Sequence, residues 1–407
     1  MARCGGGGDG RAAAYIEYAA VVARGTCVAW LVYAGVARAD SAPMDAEGHK
    51  VRQIPIEEST PFNAVVTYTA DSVTDLSGGL DAGTGFISLL QVGGGVNGAA
   101  IGLPAGSRFE ISALRIDSQD PSLHRIDDVQ VASNIEAPSA MRISQFWYLQ
   151  DLPAVPLRTW LGLLDLNQYL DVTESATTLI NSSFGITPVI SGNAPASLYP
   201  KPGYGAMVRW ERGDAALHVG IFQGNPGMRH TVLHDGRMLI GEWQPLGAVD
   251  EDSSIRLKLG AWQCHCRTGP AAGDLLQAWG GYGSAQVTLG RHAGEPVVAF
   301  VHLAGSPSSD SVSPFAAAAG LTLSSPIGQR PDDHFSLGMT RMNLRDLAAE
   351  TSYEMTYILE LRNDVYLQPD IQYITKPSGA LPDAWVFTLR INLEFDTHFQ
   401  SPGAPRQ

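Results

Sequence analysis

Hydrophobic and polar residues alternate one by one over much of the chain from Phe62 onward. The cleanest case lies near the C-terminus, where Phe387, Leu389, Ile391, Leu393 and Phe395 alternate with Thr388, Arg390, Asn392 and Glu394. A period of two puts one set on each face of a β-strand. Tyr353, Met355, Tyr357, Leu359 and Leu361 alternate likewise with Glu354, Thr356, Ile358, Glu360 and Arg362. Segments of this kind fall at 62–70, 84–92, 107–117, 140–151, 156–166, 203–211, 215–223, 236–244, 254–264, 277–290, 296–304, 313–323, 333–343, 351–363, 365–375 and 383–395, which predicts sixteen strands. About ten residues is also the length that crosses a bilayer as a tilted strand. The pattern therefore predicts an all-β chain, a transmembrane antiparallel β-barrel of about 16 strands with its apolar side to lipid and its polar side to a water-filled lumen.

The connections sort in the same sense. A barrel with its N-terminus in the periplasm has short turns after even strands and longer loops after odd ones. Short links at 152–155, 212–214, 291–295 and residue 364 follow the fourth, sixth, tenth and fourteenth segments. Long links at 118–139, 167–202, 224–235 and 265–276 follow the third, fifth, seventh and ninth. Links 93–106, 245–253 and 324–332 follow even segments and are longer than tight turns. A soluble β-rich binding protein is the competing reading, and it would bury the same apolar faces against a second sheet.

Composition agrees with many turns and few water-exposed faces. Of 407 residues 44 are Gly and 25 Pro, and charged residues make up 17%, against about a quarter in a typical soluble domain. Arg24 precedes the apolar run Cys27–Val36, and Ala37-Arg38-Ala39 supplies a small-x-small cleavage pattern, so 1–39 reads as a secretory signal peptide. The expected organisation is then an N-terminal periplasmic segment at 40–61, the barrel at 62–395 and a C-terminal tail at 396–407. Removing 1–39 takes four of the 27 basic residues and two of the 41 acidic ones, leaving an acidic excess of 16. That balance argues against nucleic acid as a partner. Cys264 and Cys266 flank His265, and two cysteines on one face of a strand are poorly placed to bond each other. No nearby residues complete a metal site, and neither a metal nor a cofactor is expected.

Seven stretches, in order along the chain, carry a family resemblance. They are V-A-S-N-I-E-A (131–137), L-G-L-L-D-L-N-Q-Y-L (161–170), L-I-N-S-S-F-G (179–185), Y-P-K-P-G (199–203), G-I-F-Q-G-N-P (220–226), R-P-D-D-H-F-S-L-G (330–338) and L-Q-P-D-I-Q-Y-I-T-K-P-S-G (367–379). The chain resembles the carbohydrate-selective porin family, OprB, over roughly residues 62–395. The resemblance implies a sixteen-stranded outer-membrane barrel of a bacterial-type cell that passes sugars and other small hydrophilic solutes by passive diffusion, with outer-membrane lipid around it. Two features depart from that pattern. Leu163 stands where a polar residue is expected, and residues follow Phe395 where such barrels end on the aromatic, a part that Phe399 could also play.

Diffusion needs no catalytic residue, only a hydrated path and groups that exchange hydrogen bonds with hydroxyls. The polar faces of the last three strands supply pore-lining candidates Glu354, Glu360, Arg362, Gln368, Asp370, Gln372, Arg390, Asn392 and Glu394. The 167–202 link, by analogy with general porins, folds inward and offers constriction candidates Asn167, Asp171, Glu174, Asn181, Asn193 and Lys201; the alternative is a solvated external loop. Trp147 reads as part of an interfacial aromatic girdle in preference to a lumenal sugar-stacking residue. Two other functions compete, a general or ion-selective channel and a barrel enzyme. The enzyme needs a Ser/His/acid set on neighbouring strands, which the scattered His218, His302 and His334 do not supply.

Overall fold

A computed structural model describes residues 62–399, apart from 153, 228–235, 250–252, 269–273, 329 and 331. The expected signal peptide, the 40–61 segment and residues 400–407 lie outside the described residues. The strands are β1 (Phe62–Ser77), β2 (Gly83–Asn97), β3 (Ser107–Ser118), β4 (Ala140–Leu152), β5 (Leu157–Leu164), β6 (Gly203–Arg212), β7 (Ala215–Gln223), β8 (Gly236–Leu246), β9 (Ile255–Thr268), β10 (Asp274–His292), β11 (Glu295–Gly305), β12 (Phe315–Ser324), β13 (His334–Asn343), β14 (Glu350–Arg362), β15 (Val365–Thr375) and β16 (Ala384–Phe399). Each pairs antiparallel with its neighbour in sequence, and β16 pairs with β1 to close the barrel. Closure leaves no unpaired strand edge, which is what a sheet inside lipid requires. All sixteen segments expected from the alternation coincide with a strand. The last one is longer than expected: β16 continues past Phe395 to Phe399, so the 396–407 tail begins inside the closing strand.

Period-two alternation becomes an inside and an outside. On β16, Phe387, Leu389 and Ile391 are exposed outward, while Thr388, Arg390, Asn392 and Glu394 are buried within the barrel. Tyr353, Tyr373 and Trp385 form a row of rings across the outer face of β14–β16, with centroids 6.4 and 4.8 Å apart. Leu163 shares the outward parity of the exposed Leu161, so the departure noted at that position does not touch the lumen wall.

Strand β4 breaks the simple count. Opposite Ser112/Ala113 the register slips by one, with Gln145 pairing Ser112 and Ile143 pairing Ala113. A bulge of this kind shifts the inward set from even to odd positions. Gln145, Trp147 and Leu149 consequently point inward and are buried, and the Trp147 Nε1 donates to Gln145 Oε1 at 2.9 Å. Trp147 is thus a lumenal residue, which corrects its expected place in the outer girdle.

Two links enter the barrel. Residues 165–202, between β5 and β6, contain no exposed residue. Their Leu166, Leu170, Ile186, Val189 and Ile190 pack against Trp147, Trp160, Met207, Phe222, Ile240 and Trp262 on the inner wall. Residues 119–139, between β3 and β4, enter beside them, and Ile126, Val131 and Ile135 pack against Val73, Ile87, Leu89, Leu114, Ile116 and Val386. The two loops are joined by Asn134 N to Ile180 O (2.8 Å), Ser182 N to Val131 O (3.0 Å) and the Tyr199 hydroxyl to Ile135 O (3.1 Å). Contrary to the expectation from spacing, Cys264 and Cys266 are joined as a disulfide on the inner face of β9.

Candidate constriction of the channel

The inner wall holds both loops by offering carboxylates and amides to loop backbone. Glu354 on β14 accepts from the amides of Ile180 and Asn181, the latter at 2.9 Å. Glu350, four residues earlier on the same strand, accepts from Val129 N (3.0 Å), Gln130 N (2.8 Å) and Ser378 N (2.8 Å). Gln372 donates to Ala132 O and Gln368 to Thr178 O, each at 2.8 Å. Glu242 on β8 accepts the Asp171 amide at 2.8 Å, and Gln286 on β10 accepts the Ser175 amide at 2.8 Å. Backbone amides taken out of water need such partners, and a carboxylate is the strongest acceptor available.

This reassigns most of the pore-lining candidates. Glu354, Gln368, Asp370, Gln372, Arg390, Asn392 and Glu394 do face inward, but all seven are buried, and Glu354, Gln368, Gln372 and Arg390 bond directly to loop residues. Glu360 lies half-buried at the short-turn end of β14, its amide donating to Asp333 Oδ1 at 3.1 Å. Arg362 is exposed beside the β14–β15 turn, on the rim and outside the lumen.

The constriction candidates divide in two. Asn167 donates to Leu170 O, Asp171 O and Gly185 O, and Asn193 donates to Val189 O and Ser313 O. Asn181 donates to Gln372 Oε1, and Asp171 Oδ1 lies 2.9 Å from His302 Nε2. These four are buried scaffold of the loop, which corrects their expected place at the passage. Glu174 and Lys201 keep partial exposure, as do Asp165, Gln168 and Val172. Ser191, Gly192 and Pro195 are partly exposed too, and Asp165, Gln168, Val172 and Glu174 form the loop's open edge on the side of Lys258 and Arg256.

Partly exposed inward positions on the wall include four arginines near the short-turn end, Arg108 on β3, Arg158 on β5, Arg209 on β6 and Arg256 on β9, and Arg142 at the long-loop end of β4. Arg158 and Arg209 stand directly opposite each other in the ladder. Opposed like charges are destabilising on their own, and each has a carboxylate: Arg158 bonds Asp151, and Arg209 lies 2.6 Å from Glu211 while donating to Ala248 O at 3.0 Å. Arg158 also lies 5.9 Å over the Trp160 ring, which is 5.2 Å from the Tyr169 ring. Guanidinium, carboxylate, amide and aromatic groups together match the hydroxyls and apolar ring faces of a sugar.

Sequence reasoning did not single out the 119–139 loop, the docking residues Glu242, Gln286 and Glu350, or the arginine wall. One signal was available for the loop, because Ile126, Val131 and Ile135 are too apolar for a solvated link.

Two acids on the loop's open edge differ in charge state. Burial pushes the Asp165 carboxyl up to about 7, against the Asn167 and Tyr199 amides that pull it down. Burial would raise Glu174 too, but Lys258 and Arg256 overcome it and hold the group at about 2. Asp165 is therefore neutral below its pKa and charged above it, and any contribution it makes to loop docking is lost as pH rises through that value. The lumen should become more cation-selective between about pH 6 and about pH 8. Reversal potentials across that range test this; Asp165→Asn should flatten the response.

Closed antiparallel architecture, an apolar outer belt and inward loops are those of a porin barrel. The family model for the carbohydrate-selective porin, OprB family, matches residues 98–237 and 227–395, and the chain belongs to that family, the sugar-selective outer-membrane porins. The high-pH structure of Pseudomonas putida OprB is 16% identical, superposes with a TM-score of 0.71, and is matched over 82% of this chain and 94% of that one. The low-pH structure of the same protein is 14% identical with a TM-score of 0.55, over 82% and 93%. A mutant of the Rh. blastica porin is 9% identical with a TM-score of 0.51, over 82% and 99%. No curated protein matches the chain.

Proposed function

We propose that monosaccharides such as glucose diffuse passively through the space between the loop edge Asp165–Glu174 and the wall that carries Arg108, Arg158, Arg209 and Arg256. Partial exposure of these loop residues and of these inward-facing arginines inside the closed barrel supports the reading. The apolar loop cores pack against the inner wall, so solutes would pass beside them along the partly exposed polar groups. Arg158 and Gln168 would exchange hydrogen bonds with hydroxyls, with the buried Trp160–Tyr169 pair packed behind them. The barrel would sit in a bacterial-type outer membrane, outer-membrane lipid against its exposed apolar belt, the long loops outside and the short turns toward the periplasm.

Swelling of vesicles that contain the protein tests this. Glucose should enter faster than a disaccharide and faster than a charged solute of glucose's size. Equal rates for glucose and the charged solute would replace the sugar-selective passage with a general pore.

A further inference from the structure

The open edge of the inward loop is fixed by one cation. Lys258 lies on the inner face of β9 between Arg256 and Gly260, with a side chain only 7% exposed. Its ammonium donates to Val172 O at 2.7 Å and forms an ion pair with Glu174. Gln286, from the next strand, bonds the same Glu174 carboxylate through its amide nitrogen and the Ser175 amide through its oxygen. One flank of the segment is held by Glu242 on the Asp171 amide. A lysine buried this deeply loses rotamer freedom and hydration, and here its ammonium makes two hydrogen bonds to the loop edge, to Val172 O and to the Glu174 carboxylate. Glu174 retains 17% exposure inside the barrel, so its charge meets the passage.

We propose that Lys258 sets the charge and the width of the constriction, by neutralising Glu174 and tying the 172–174 edge to β9. This deepens the sugar-channel reading and rests on it for the location of the passage. Lys258 is a positioning residue: it acts through Glu174 and Val172. Two consequences follow from the geometry. Removing the Lys258 ammonium leaves Glu174 with Arg256 as its remaining cation and makes the charge at the passage more negative by one unit. Removing the carboxylate leaves an uncompensated ammonium there, so the two changes must push ion selectivity in opposite directions.

The test compares Lys258→Gln, Glu174→Gln and the double variant with the unmodified protein in planar bilayers. Heat-dependent gel migration verifies that each barrel is closed. Lys258→Gln should raise the cation-to-anion permeability ratio by about five-fold or more, since a unit charge a few ångströms away favours cations and disfavours anions by up to about five-fold each in water. Glu174→Gln should lower it by a similar factor. The double variant should return near the original ratio, with a larger single-channel conductance because the edge is no longer tied. Single variants that shift selectivity in the same direction, or leave it unchanged in folded, conducting channels, would overturn the proposal. Glucose preference is measured on the unmodified protein in vesicles, so failure of the sugar reading registers there and separately from the selectivity of the variants.

Discussion

Arg390→Ala is expected to destabilise the barrel by about 3–5 kcal/mol, the usual consequence of leaving one partner of a buried ion pair alone. Arg390 Nε and Nη2 bond Asp71 Oδ1 and Oδ2 at 2.7 and 2.8 Å, in the two-pronged geometry that guanidinium and carboxylate favour. The two residues face each other across β16 and β1, the seam that closes the barrel. Their side chains are 2% and 0% exposed. The pair also reaches the 119–139 loop, since Arg390 donates to Asn134 Oδ1 at 2.8 Å and Ser133 donates to Asp71 at 2.6 Å. Alanine would leave the Asp71 carboxylate buried with only the Ser133 hydroxyl. The midpoint of urea-induced loss of the folded gel band measures the effect. A paired change, Arg390→Met with Asp71→Leu, should recover most of the loss, because it removes the charges together. An unchanged midpoint for Arg390→Ala would contradict the buried pair. The alternation by itself made Arg390 a pore-lining candidate, because it fixes the side a residue faces and says nothing of what covers that side.

The second large effect concerns permeation. Replacing Glu350 and Glu354 together by alanine should release both inward loops while the strand ladder stays closed. Five backbone amides depend on these two carboxylates: Val129, Gln130 and Ser378 on the first, Ile180 and Asn181 on the second. Each hydrogen bond to a charged group contributes about 1.5–3 kcal/mol. The loops are joined through residues 131–135 and 180–199, so loss of one anchor strains the other. Single-channel conductance should rise and a disaccharide should enter vesicles about as fast as glucose. Conductance equal to the unmodified channel would mean that the apolar loop cores hold the loops without the carboxylates. Comparing the single variants separates the anchors, with Glu350→Ala acting first on the 119–139 loop and Glu354→Ala on the 165–202 loop.

Strand positions were legible because each strand is a local object with a two-residue period. A lipid belt outside and a polar interior write that period directly into the sequence, strand by strand. The Leu389/Arg390 contrast needs no knowledge of any other residue. Trp147 shows the limit. A single slip between β3 and β4 at Ser112/Ala113 exchanges inside for outside, and a register slip is a property of two strands. The end of β16 was misplaced for a related reason, since its final residues are defined by pairing with β1.

The 165–202 link was recognisable as a candidate plug from its length and place in the order of strands. Which of its residues meet the passage was not recognisable. Asn167, Asp171, Asn181 and Asn193 look in sequence like groups for binding sugar, yet folded loops use such side chains to satisfy their own backbone. Glu174 looks no different from them in sequence. Its exposure depends on Lys258 and Gln286, which lie more than eighty residues away along the chain.

By itself the sequence determined the strand count, the inward and outward faces of most strands, the long loops at one end and, through seven ordered stretches, the porin family. These are consequences of local alternation and of motifs carried on single segments. Only the tertiary structure decided that two loops enter the barrel and that Glu350, Glu354 and Arg390 hold them by hydrogen bonds to loop residues. The physical reason is that a polar residue facing inward has two possible partners, water or buried backbone. The choice is made by apolar loop residues that exclude water where they pack, and those residues meet the wall only when the barrel has closed around them.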